Sequence, residues 1–193
     1  MQADAQHLRP WWPQHHLDSL HPPTELRPWL LHTGSLTARL ATRWPDLQVS
    51  LVHVGEGRLT PEECARLSCG PQATGWIRCV SLRGGGHTRV RARAVIPEWH
   101  SYNPWSDVAY LGERSLGDWL FAQTGVLRSP FEWASPDGPE GAGSWARRCC
   151  YARHGASLLL TEWMVDLETE PAPTDTGPTP LPPLTPSASR ETA

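Results

Sequence analysis

The chain contains no lysine; all seventeen of its basic residues are arginine. That excludes a lysine Schiff base and, with it, lysine-anchored pyridoxal phosphate. Phenylalanine is nearly missing, with two residues against eleven tryptophans, so the tryptophans are expected to supply much of the core. Positive charge is in deficit, the formal net charge being −3, which argues against a general nucleic-acid surface. No apolar run approaches the ~20 residues that cross a bilayer. The opening MQADAQHLRP lacks the charged and apolar regions of a signal peptide, so a cytoplasmic protein without membrane insertion is expected. The five cysteines form no CxxC, and adjacent Cys149 and Cys150 suit neither an ordinary disulfide nor a shared metal. Free thiols in a reducing compartment are expected, and a zinc site built from Cys64, Cys69 and a histidine is disfavoured. Neither a P-loop, a GxGxxG fingerprint, a GxSxG elbow nor an HExxH helix occurs, and the scattered histidines give no support to a catalytic triad.

What is present fits one domain with two additions. Residues 1–23 are rich in Pro, His and Trp and read as an extended arm. Residues 24–168 carry the periodic segments. Residues 169–193 carry seven prolines and almost no large apolar side chain, so they are expected to be disordered. Within the domain, ELRPWLLHTGSLTARLATRW holds two short helical patterns broken at Thr33–Gly34, with Ser35 as N-cap of the second. DLQVSLVHVGEG alternates as a strand, and PEECARLS reads as a short helix started by proline. TGWIRCVSLRGGGHTRVRARAVIP is two extended runs around a triple glycine, hence a hairpin. ERSLGDWLFAQTG is a helix capped by Ser115, FEWAS a short strand, and SWARRCCYARHGASLLLTEWMV a final hairpin turning at His154–Gly155–Ala156. Strands joined by hairpins, with helices between, predict an α+β domain built on a single antiparallel sheet of about six strands.

Three features carry chemistry. In TRVRARAVIP, Arg89, Arg91 and Arg93 recur at every second residue, so they are expected to share one face of a strand. A four-residue hairpin turn would set Arg78, in the apolar context WIRCV, directly opposite Arg93. Two like charges so placed either bracket a bound anion, which guanidinium forks suit, or line a wet sheet face. Arg89 and Arg91, nearer the turn, read as solvated. Glu162 falls on the apolar face of SLLLTEWMV, where a carboxylate either pairs with an arginine or becomes a proton donor. The helix starts at Ser35–Leu36 and Ser115–Leu116 offer unpaired N–H groups, a weak anion signal by itself.

WLLHTGSLTARL, GWIRCVSLRGGG, RARAVIP, LGERSLGDWLF and LLLTEWMV occur in an order and at spacings that resemble the chorismate pyruvate-lyase family, over residues 26–167. The resemblance implies a chorismate lyase-like sheet with the ligand site enclosed under helical flaps. It implies cofactor-independent conversion of chorismate to 4-hydroxybenzoate and pyruvate in ubiquinone biosynthesis, by a monomer without metal. By motif position it puts the ring-carboxylate arginine on Arg78, a second, catalytic arginine on Arg93, the carboxylate-binding backbone on Leu36 and Leu116, and the acid meeting the 4-oxygen on Glu162. Leu36 stands where methionine is usual, and Arg89 and Arg91 lie outside the family pattern. The alternative is a non-catalytic domain of the same fold that binds an aromatic acid, as in sensor domains of bacterial transcription regulators.

Overall fold

The computed structural model describes residues 11–137 and 143–167. The expected tail of residues 169–193 lies outside them, as do the first ten residues of the arm. Two long hairpins form the centre of the sheet. β3 (Thr74–Gly84) turns into β4 (His87–Pro97), and β7 (Trp145–Arg153) turns into β8 (Ala156–Met164). β4 pairs with β8, joining the hairpins. β2 (Gln48–Arg58) adds to β3 at one edge. On the other side β6 (Glu132–Ala134) and β5 (Leu127–Arg128) both pair with β7. β1 (Trp12–Pro13) pairs with β6. Every pairing is antiparallel. Among the described residues there are eight strands against the six expected, because β1 and β5 are two residues long, too short to show a period. The arm is correspondingly docked over its described part, and Leu17 is 3 % exposed within the core.

Most of the helical cover lies on one face of the sheet. α1 (Arg27–Leu30), α2 (Leu36–Arg43), α4 (Leu116–Phe121) and a 3-10 turn over Ser106–Tyr110 cover the apolar inner face, which runs through Val80, Leu82, Ala94, Ile96 and Leu160. α3 (Pro61–Leu67) sits on the outer face over Ile77 and Val95. It is secured by a capping box in which Thr60 Oγ1 accepts from the Glu63 N–H and the Glu63 carboxylate accepts from the Thr60 N–H.

The β3–β4 turn decides which residues face the helices. It is two residues long, Gly85 and Gly86, both at positive φ (58° and 80°), as a twisted hairpin turn requires. Gly84 therefore pairs with His87 and Arg83 with Thr88, but Leu82 pairs with Val90. Arg89 is the extra residue of a β-bulge. A one-residue slip exchanges the faces of a strand. Beyond the bulge Arg78 stands opposite Ala94, and Arg93 opposite Cys79. The expected opposition of Arg78 and Arg93 is thus corrected: they lie on opposite faces of the sheet. The common face of the three arginines is corrected too. Arg91 is exposed, but Arg89 is 3 % exposed, stacked over Trp44 at 4.3 Å and bonded to the Gly84 and Asp166 carbonyls.

Candidate active site

The inner face of the sheet holds two buried charged groups beneath the helical cover. Arg78 reaches it from β3, where the WIRCV alternation puts Ile77 outward under α3 and Arg78 inward. It is 3 % exposed. Its Nη2 donates to the carbonyls of Gly112 (3.0 Å) and Arg114 (2.8 Å), just before α4. Its Nε has no acceptor, and no carboxylate pairs with it among the described residues. Burial pulls its pKa below the ordinary arginine value. A buried guanidinium without a counter-charge is costly, and the deficit is what an incoming anion would repair.

Glu162 reaches the same face from β8, where it lies opposite Ala92 on one side and Arg147 on the other. Its Oε2 accepts from Arg147 Nε at 2.6 Å. Arg147, 2 % exposed, also donates through Nη1 to the carbonyls of Trp29, Leu30 and His32, at 3.0, 3.1 and 2.6 Å. Of the two readings open for Glu162, the structure shows the ion pair. Arg147 was not foreseen. A three-residue final turn would put Arg148 opposite Glu162; the actual two-residue turn, His154–Gly155, puts Arg147 there.

Between these groups lies a small cavity of about 30 Å³. Val80, Ala92, Ala94 and Leu160 form its floor, Arg78 and Glu162 its charged walls, and Thr37, Leu116 and Gly117 its roof. The roof is where two helices begin side by side. Ser35 Oγ accepts from the Ala38 N–H and Ser115 Oγ from the Asp118 N–H, so both helices are capped as expected. The caps are also tied together, Ser35 Oγ donating to the Asp118 carboxylate. Gly117 permits this contact, because a Cβ there would stand 3.0 Å from Ser35 Oγ. Leu36 and Leu116, the first residues of α2 and α4, are both buried, and the first-turn N–H groups of a helix lack intrahelical acceptors.

Arg93 is not part of this cluster. It lies on the outer face, where its Nε and Nη2 make a forked pair with Glu63 at 2.6 and 3.0 Å, and this pairing raises its pKa. The structure therefore brings together Arg78, Glu162, Leu116 and the start of α2 at Leu36, and leaves Arg93 beneath α3. Among the described residues no group of three His, Cys, Asp or Glu side chains is placed to hold a metal, and no helix is long and apolar enough to cross a membrane.

Comparison with known proteins points to one family. The family model described as chorismate lyase matches residues 8–169. A probable chorismate pyruvate-lyase of Hydrogenovibrio crunogenus is 31 % identical over 166 residues, covering 81 % of this chain and 90 % of that protein. The probable chorismate pyruvate-lyase 2 of Pseudomonas fluorescens is 37 % identical over 161 residues, covering 79 % and 86 %. Among solved structures, the effector domain of PhnF from Mycobacterium smegmatis superposes with a TM-score of 0.48 at 16 % identity, over 69 % of this chain and 90 % of that one. The match along nearly the whole described chain, and the two full-length relatives above 30 % identity, place the protein in the chorismate lyase family.

Proposed function

We propose that the protein converts chorismate into 4-hydroxybenzoate and pyruvate. The observation that carries the reading is the pairing of an uncompensated buried guanidinium, Arg78, with a buried carboxylate, Glu162, across an apolar floor. They stand two strands apart and two residues out of step, so their Cα atoms are roughly 12 Å apart. That separation suits a ring with a carboxylate at one end and an oxygen at the other.

In this reading Arg78 and the first-turn N–H groups of Leu36 and Leu116 hold the ring carboxylate. Glu162 meets the ring oxygen that becomes the phenol. The bond between the ring carbon and the ether oxygen breaks, the oxygen and its electron pair leaving with enolpyruvate; the adjacent hydroxyl-bearing ring carbon gives up its hydrogen as a proton, and the enolpyruvate takes up a proton to give pyruvate. The ring becomes aromatic, so the reaction runs downhill. The chain has to orient a dianion and accept charge and hydrogen bonds as they develop, a task for fixed donors rather than for a strong nucleophile or a cofactor. Arg147 holds the Glu162 carboxylate in place. Arg93 secures α3 through Glu63. Residues 24–168 are the catalytic unit, with 1–23 and 169–193 as additions to it. The protein acts as a cytoplasmic monomer and supplies 4-hydroxybenzoate to ubiquinone synthesis.

The test is to mix the protein with chorismate in buffer containing a chelator and follow both products. Equal release of 4-hydroxybenzoate and pyruvate is expected. Binding of 4-hydroxybenzoate without release of either product from chorismate would replace the lyase reading by that of an aromatic-acid binding domain.

A further inference from the structure

The cavity between Arg78 and Glu162 is smaller than an aromatic ring needs. At about 30 Å³ it has room for one water, whereas a buried cavity that takes benzene measures about 150 Å³. A benzene ring carrying a carboxylate and a hydroxyl therefore enters only when a wall moves. The floor is held fast. Val80, Ala92, Ala94 and Leu160 lie on β3, β4 and β8, adjacent strands laddered to one another. The roof is Thr37 of α2 with Ser115, Leu116 and Gly117 at the start of α4. These helices are short, eight and six residues, and each is secured through the segment leading into it. Arg147 holds the carbonyls of Trp29, Leu30 and His32 ahead of α2, and Arg78 those of Gly112 and Arg114 ahead of α4. The roof is the wall that can move.

The two helix starts are joined by a side-chain bond, Ser35 Oγ donating to Asp118 Oδ1. Its chemistry suits a contact that opens and closes. Asp118 is exposed, so its carboxylate exchanges the serine hydroxyl for water at small net cost. Ser35 Oγ also accepts from the Ala38 N–H, and the Asp118 N–H is held by Ser115 Oγ, so both helix caps survive the break. Neither helix has to unwind. Gly117 lets the helix starts press together at this point, since a Cβ there would stand 3.0 Å from Ser35 Oγ.

We propose that the Ser35–Asp118 hydrogen bond is a latch, which holds α2 and α4 together over the cavity and whose breaking sets the rate at which an aromatic acid enters and leaves. Asp118 lies outside the cavity lining, so it is a positioning residue that acts through the roof without touching the ring. The latch rests on the reading of this cavity as the site of the ring. A latch closed with and without ligand slows entry and exit alike. Its removal should raise both rates and leave their ratio, the affinity, nearly unchanged. A residue that only supported the bound ring would alter exit alone and weaken affinity.

The experiment follows 4-hydroxybenzoate binding by stopped-flow tryptophan fluorescence, Trp119 being on α4 itself. It compares the full native chain with Asp118→Ala and Asp118→Asn; the side chain is exposed and caps neither helix, so both changes spare the fold. In Asp118→Ala the association and dissociation rate constants should both rise about fivefold, with Kd within about twofold of native. Asp118→Asn loses the same charge but keeps a carbonyl oxygen for Ser35 Oγ, so its rates should stay nearer the native values. Unchanged rates in Asp118→Ala, or a weaker Kd carried by dissociation alone, overturn the latch and leave the reading of the site standing. Equal rates in the two variants overturn it as well, since the effect would then come from the lost charge at the start of α4. A native chain that does not bind 4-hydroxybenzoate overturns the reading of the site and the latch together.

Discussion

Glu162 and Arg147 face each other across β8 and β7 with Oε2 and Nε 2.6 Å apart, both almost wholly buried. The same guanidinium satisfies three carbonyls of the segment that leads into α2. Removing it strands a carboxylate and three acceptors together. Arg147→Ala should therefore lower unfolding stability by about 3–5 kcal/mol. Arg147→Lys should recover only part of this, because one ammonium cannot reproduce the fork. Denaturant unfolding of the three proteins checks both figures.

Arg78 has the opposite relation to stability. Its guanidinium is buried with two carbonyl partners and no carboxylate. Arg78→Met keeps the volume and removes the charge. The free protein should gain stability, by about 1–2 kcal/mol. Affinity for 4-hydroxybenzoate should fall by about 2–4 kcal/mol, since a buried charge-assisted pair is lost. Thermal melts with and without 4-hydroxybenzoate show both effects: a higher Tm alone, and no further rise with ligand.

For Glu162→Gln the informative quantity is the division between binding and turnover. Should the carboxylate act in the transition state, kcat falls while the 4-hydroxybenzoate affinity changes little. Equal loss in both would leave Glu162 a binding group only. Steady-state kinetics and product titration of the same preparation decide the point.

Arg93→Gln tests the placement of that side chain on the outer face. The forked pair with Glu63 is lost, so stability should drop by about 1–3 kcal/mol. Turnover should stay within about threefold of the native value, because the groups around the cavity are untouched. A loss of activity a hundredfold larger, at unchanged stability, would return Arg93 to the reaction.

His32 gives the cover a pH dependence. Its ring bridges Ser35 and Arg39, accepting from Arg39 at Nδ1, and burial followed by the Arg39 charge lowers its pKa from 6.5. A proton on Nδ1 would point at a guanidinium. A histidine depressed in the folded state binds protons more weakly there than in the unfolded chain. Its stabilising contribution is then complete above pH 6.5 and is lost as pH falls from 6.5 through the lower folded value. The fall in Tm between pH 7.5 and 5.5 should be smaller in His32→Gln than in the native chain.

Some of this was legible in the amino acids because it violates local pattern. An arginine in WIRCV and a glutamate on the face of Leu158, Leu160 and Met164 both demand a reason to be inside, and both lie at the cavity. The serine caps were visible because capping is a property of four consecutive residues. What stayed hidden depended on register. Whether Arg78 meets Arg93 or Ala94, and whether Glu162 meets Arg148 or Arg147, turns on a single residue in a turn or a bulge, and side-chain periodicity does not count turn residues. The burial of Arg89 was hidden for the same reason. Its apparent place in an alternating series ends at the bulge.

That bulge gives the strand an arithmetic of its own. Counting from the Gly85–Gly86 turn, one sheet face takes the even positions before Arg89 and the odd ones after it, and everything near the cavity depends on the change of parity. Gaining or losing one residue between Gly84 and Val90 would carry Arg93 into the apolar interior and turn Ala92 and Ala94 out toward α3. Gaining or losing two would leave the interior as it is. The hairpin should therefore accept changes of length in pairs, or single changes that add or erase the bulge itself, and relatives with turns of different length should obey that rule wherever the alanines still form the floor.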